Sequence, residues 1–241
     1  MIEEARAGEL IREKIAGEDF SCVAAKTALR RETIVHRHFG PLAAAATTAA
    51  LHSELAGFAR NKDDIDPLLA SFVASFEPAA APPPAAESDE QVPTVEEEFE
   101  RLLWEQLQAL HELDIASSAW SALVDPDPES PRFGFSVAGH PFFVVGLHPG
   151  SSRLTRRFPL PTLVFNSHVQ FEQLKERGTY QRIQREVRIR EVALQGSINP
   201  NLSDFGEVSE ARQYSGLAAP ADWRCPFQPR FRHMAEKGGT R

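Results

Sequence analysis

Cysteine is scarce: Cys22 and Cys225 are the two in the chain, and they lie at opposite ends. That spacing is no disulfide framework, and it points to a reducing compartment. No apolar run approaches the roughly 18–20 residues that a bilayer-spanning helix needs. The start, Met1-Ile2-Glu3-Glu4-Ala5-Arg6, lacks the apolar stretch of a secretory signal, so a cytoplasmic location is expected and a membrane is not. There is no G-x-G-x-x-G and no G-x-x-x-x-G-K-[ST], which leaves dinucleotide and P-loop readings unsupported. Excess positive charge is missing too. The net charge of −8 argues against general nucleic-acid binding.

The charge that is present is unevenly placed. From Glu87 to Glu129 there are 13 acidic residues and one basic residue, Arg101. From Ser151 to Arg190 there are nine basic residues and three acidic ones. Two solvated faces of opposite sign would account for this, and so would a basic half that holds an anionic ligand.

We expect one domain over residues 1–241, with a Pro/Ala-rich loop at 78–93 and a loop-rich tail at 197–241. Helical spacing of Leu51, Leu55 and Phe58 predicts a helix over Leu42–Ala59. Ser71 to Glu77 reads as a buried strand. Thr94-x-x-Glu97 is a capping box, opening a helix striped by Val95, Phe99, Leu102, Leu103, Leu107, Leu110 and Leu113. The period then changes. Arg132–Val137 and Pro141–Leu147 read as a hairpin turned at Ala138-Gly139-His140, its second strand apolar on both faces. Thr162–Phe165 is a further strand, and Ser167-x-x-Gln170 is expected to cap the next helix. Gly178 breaks that helix, and a basic helix follows from about Thr179 to Leu194. The order predicts an α+β fold: an antiparallel sheet with a central hairpin, covered on one face by helices.

The segment that leaves the hairpin is the first candidate site. His148 stands between an oily strand and Pro149-Gly150, with Arg153, Arg156 and Arg157 close behind. Neutral imidazole is a good ligand for iron or zinc, and guanidinium groups bind carboxylates and phosphates. The competing reading is a hydrogen-bonded structural histidine with surface arginines. Cys225 before Pro226 offers a thiolate for haem iron, or else a small hydrophobe plugging the core. His36-x-His38 lacks further ligands at zinc spacing. Ser151 and Ser152 lack the nucleophile elbow of a hydrolase.

Taken together, several pieces resemble the YqcI/YcgG family. They are Phe20-Ser21-Cys22-Val23-Ala24-Ala25-Lys26, the strand ending Phe76-Glu77, the Gly146–Arg153 segment, Arg157-Phe158-Pro159, Asn166 and Cys225-Pro226-Phe227. The resemblance runs from about Phe20 to Phe227. It implies a haem protein, with characterised members that hydroxylate a guanidine-type nitrogen in cycloserine and guanitoxin biosynthesis. By that resemblance this chain is a haem-dependent monooxygenase acting on arginine or another guanidine or amine. Its oxidant is dioxygen or hydrogen peroxide, with an electron-donor protein as a possible partner. His148 is then the axial ligand, with Cys225 as second choice, and Arg153 and Arg157 pair with the haem propionates, with Arg156 as a substitute for either. Phe142, Val144, Phe158 and Phe165 are the expected apolar walls. A cationic substrate needs a carboxylate. Glu77 is the first choice, followed by Asp204 and Glu207. A non-catalytic haem sensor or carrier and a haem-free anion-binding domain are the alternatives.

Overall fold

A computed structural model describes residues 2–78, 93–197 and 208–231. The connector at 79–92 and the substrate candidates Asp204 and Glu207 lie outside them. The chain runs α1 (Glu4–Ala16), α2 (Val23–Arg30), β1 (Ile34–Phe39), α3 (Ala45–Ile65), β2 (Ser71–Phe76) and α4 (Val95–Asp114). It continues through β3 (Phe135–Val137), β4 (His140–Leu147), a 3₁₀ turn at Leu154–Arg156, β5 (Thr162–Ser167), α5 (His168–Glu176), α6 (Tyr180–Gln195) and the short α7 (Ala211–Tyr214). No helix among the described residues is long and apolar enough to cross a membrane.

The fold is α+β, with the five strands in the order β1-β2-β5-β4-β3. The sheet is mixed, which corrects the antiparallel expectation. β1 pairs parallel with β2, because α3 carries the chain back between them; every other pairing is antiparallel. β1 is easily missed in the sequence, since Ile34-Val35-His36-Arg37-His38-Phe39 sits at the border and is only partly buried. The hairpin is not central either. β3 forms the opposite border, and β5 is the middle strand. Its turn has two residues, Ala138 at φ 53° and Gly139 at φ 72°, with Val137 facing His140. Left-handed backbone at both positions matches the twist of the strands they join.

Helices lie against both faces, not one. Phe72, Ala74, Phe76, Phe142, Val144, Leu163 and Phe165 join Leu51, Leu55, Phe99, Leu103 and Leu107 of α3 and α4 in the main core. The alternate residues Val73, Val145, Leu147 and Val164 pack on the other side with Ile11, Ile15, Phe20 and Phe158. The inner strands are apolar on both faces because both are covered. Tyr214 and Phe227 are buried in the main core, so the described part of the tail is fixed to the fold.

The capping box forms as expected: Glu97 N–H donates to Thr94 Oγ1 at 3.2 Å, and Thr94 N–H to Glu97 Oε2 at 2.7 Å. Thr94→Ala is expected to cost about 1 kcal/mol, read as a lower midpoint in chemical denaturation with an unchanged slope. The second expected cap is absent. Ser167 makes no side-chain cap bond; its Oγ meets His140 Nε2 at 2.8 Å, and Gln170 Nε2 donates to the Asp66 carbonyl.

Candidate functional site: an apolar chamber beneath α2 and α6

The alternation of β4 decides where His148 points. Phe142, Val144 and then His148 fall on the α4 side, where the imidazole stacks on Phe99 with ring centroids 4.3 Å apart. The residue is 3% exposed, and its buried Nδ1 has no hydrogen-bond partner among the described residues. Burial pulls its pKa down to about 4, helped by Arg156 and opposed by Glu96. The folded value lies below the unfolded value of about 6.5, so the unfolded chain takes the proton first. Stability is therefore whole above about pH 6.5 and falls as the pH drops toward about 4. His36 and His140 are depressed to the same level, also chiefly by burial. His148→Phe keeps the stack and removes one of these three titrations. Its plot of unfolding free energy against pH, from denaturant melts, should be less steep across that window, by up to one proton.

The three arginines diverge. Arg153 turns to the end of α6, donating to Ser197 Oγ at 3.1 Å and Ser197 O at 2.9 Å, with Glu191 Oε1 3.6 Å from its Nη2. Arg156 donates through Nη1 to the carbonyls of Gly146 (3.1 Å) and Tyr214 (3.0 Å). Burial lowers its pKa to about 10, with Glu191 resisting, so it stays charged at neutral pH. Arg157 is exposed and donates to the Ser151 carbonyl.

Cys225 packs against the outside of the main core near Trp223, and burial pushes its thiol up to about 12. Glu77 accepts from the Ile2 N–H and from His38 Nε2, and the bond from Ile2 holds its carboxyl below the usual range. His36 and His38 converge on the hydroxyl of Ser75, which is fully buried. Among the described residues no three His, Cys, Asp or Glu side chains form a metal-binding group.

The cavity lies on the other side of the sheet from His148. It has a volume of about 310 Å³ and is walled by Phe20, Phe143, Val145, Leu147, Phe158 and Val164 beneath α2 and α6. Of the residues selected from the sequence, Arg156 and Phe158 line it. His148, Cys225, Glu77, Arg153 and Arg157 do not, and Phe142, Val144 and Phe165 belong to the main core instead.

Two lining residues escaped selection. Cys22 caps the N-terminus of α2, its Sγ 3.5 Å from the Ala25 N–H. Burial raises this thiol, while the amides of Ala25 and Ala24 favour the thiolate. Glu191 is 6% exposed; its Oε1 accepts from Thr155 Oγ1 at 3.1 Å, and its buried Oε2 has no hydrogen-bond partner among the described residues. The sequence held one signal for it. Ile183, Val187 and Glu191 recur every four residues, which places a carboxylate in the apolar row of a basic helix.

The chamber suits the haem that the resemblance implies. Haem iron draws four ligands from its porphyrin, so it needs one protein donor and not a cluster. Cys22 would be such a donor, set among apolar walls with Arg156 as a cationic neighbour. No curated protein and no solved structure matches the chain. The model of one family does match, over residues 11–228, and that span takes in every strand, both faces of the sheet and the whole chamber. The chain belongs to the YqcI/YcgG family.

Proposed function

We propose that the chain is a haem-dependent monooxygenase that hydroxylates a nitrogen of a small guanidine or amine, such as arginine or a derivative. The observation that supports this reading is the meeting of a thiol, Cys22, and a carboxylate with one unused oxygen, Glu191, in a single apolar chamber. Haem bound there would supply the activation of dioxygen or peroxide. Cys22 is the residue to hold the iron, from the N-terminus of α2, in place of His148 and Cys225. Glu191 takes the role first given to Glu77. Its Oε2 accepts an N–H of the cationic substrate, a charge-assisted bond that gains strength where water is excluded. The fixed bond from Thr155 orients the carboxylate, so the substrate nitrogen is held at one place. In the reaction one N–H becomes N–O–H and one water leaves. Dioxygen as oxidant also requires two electrons from a donor protein and two protons from water; peroxide does not.

Haem titration is the first test, with one equivalent taken up and a Soret band as the expected result. Oxidant and arginine are then added, and mass spectrometry follows the gain of one oxygen atom. Glu191→Gln should raise KM for the guanidine while leaving the haem spectrum alone. Haem uptake without oxygen transfer across a panel of guanidines and amines would mark a carrier or sensor. No uptake in either oxidation state would end the haem reading.

A further inference from the structure

A second hollow of about 500 Å³ adjoins the chamber and shares Ala24, Leu68, Leu69 and Leu174 with it as lining. Its rim has a different character. Arg31 follows α2, Arg177 follows α5, and Arg182 lies in the first turn of α6; all three are exposed and all three line this hollow. One carboxylate lines it as well, Glu186, and that side chain already accepts from Arg190 Nε at 2.9 Å. Arg31 has Asp66 Oδ2 at 3.6 Å, while the other oxygen of Asp66 takes the N–H groups of Leu68 and Leu69. Arg177 and Arg182 make no ion pair among the described residues.

Single exposed arginines are ordinary. Three around one hollow, with Glu186 engaged by Arg190 and Asp66 set against Arg31 alone, make a local positive field on a chain whose net charge is −8. The hollow adjoins an apolar chamber, so the pair of cavities suits a ligand with an apolar body and an acidic end. We infer that this rim is a carboxylate-binding mouth: Arg177 and Arg182, together with Arg31, hold the acid groups of the molecule that occupies the chamber. The inference rests on the chamber being a ligand site. For a porphyrin it assigns the propionates here, and not to Arg153 and Arg157.

The test uses the full chain and two iron-free porphyrins, protoporphyrin IX and its dimethyl ester, so that ligation by Cys22 plays no part. Binding is read from porphyrin fluorescence at two salt concentrations. The free acid should bind about tenfold or more tightly than the ester, with an advantage that shrinks as salt rises. The double variant Arg177→Glu/Arg182→Glu should bring the free acid down to the level of the ester. Arg185→Glu, an exposed change on α6 outside both cavities, should not. Equal binding of acid and ester, or a free-acid affinity indifferent to the double variant, overturns the mouth while leaving porphyrin in the chamber. If neither porphyrin binds, dodecanoate is the second probe. Uptake lost in the double variant supports the mouth and removes the porphyrin reading. No uptake of any probe overturns both.

Discussion

Cys22→Ser is expected to remove or displace the Soret band and to weaken haem uptake by about tenfold or more, while Cys225→Ser and His148→Phe leave the spectrum unchanged. The contrast follows from where three side chains lie. His148 is held on the α4 face by its stack on Phe99, across the sheet from the cavity. Cys225 is packed against the opposite core, with a thiol that resists ionisation. Cys22 lines the chamber, and its sulfur already accepts from a helix amide. That amide does for a thiolate what any helix N-terminus does for an anion, and iron would supply the rest of the charge compensation. Serine keeps the cap on α2, so the fold should survive and the loss should be confined to the ligand. A Soret band of unaltered position and affinity in Cys22→Ser would remove Cys22 as the donor. Loss of the band in His148→Phe instead would mean that the imidazole leaves its stack to reach the iron.

Gly146→Ala should be the most damaging single methyl in the sheet. A β-carbon at this position would lie 2.7 Å from Leu103 Cδ1, 2.8 Å from Phe99 Cε1 and 2.8 Å from the Tyr214 carbonyl oxygen. Neither side chain has room to retreat, because Phe99 and Leu103 are buried in the main core. The carbonyl is backbone, and it also receives Arg156. Relief requires α4 or the segment at Tyr214 to shift, at about 1–3 kcal/mol. For a chain of this size that lowers Tm by about 2–4 °C per kcal/mol. Gly57→Ala is the control. A β-carbon there meets nothing within 4 Å. In the middle of α3 the change should stabilise by about 0.5–1 kcal/mol. A Gly146→Ala protein as stable as the wild type would show that α4 is less firmly seated on β4 than its contacts imply.

Features with a local cause were legible in the sequence. The capping box, the middle of the α4 stripe and the doubly apolar β4 each need only neighbours in the chain, and they stand where their residues placed them; the ends of the stripe, Val95 and Leu113, are exposed, and His140 of the expected turn opens β4. Features set by long-range competition were not. Ser167 has the residue type and spacing of a cap, yet His140, brought across from β4, takes its hydroxyl. β1 is recognisable only once β2 is beside it. His148 follows the apolar β4 and precedes Pro149-Gly150, as its sequence neighbours require. Which face it takes follows only from the covering of the sheet, where strand alternation sends Leu147 to the chamber side and His148 to the other. The chamber is gathered from α2, β2, β4, β5, α5 and α6, and no stretch of sequence contains more than a fragment of it.

The two borders of the sheet are unlike its interior. One is β3, three residues long; the other is β1, which carries His36, Arg37 and His38 along a partly exposed strand. A neighbouring molecule trying to add itself to this sheet would find a stub on one flank and, on the other, a strand with a charged arginine outside and two imidazoles already engaged by Ser75. The greasy strands that make the core also have the composition that polymerises when left open. Keeping them in the middle and finishing the sheet with poor templates guards against fibre growth.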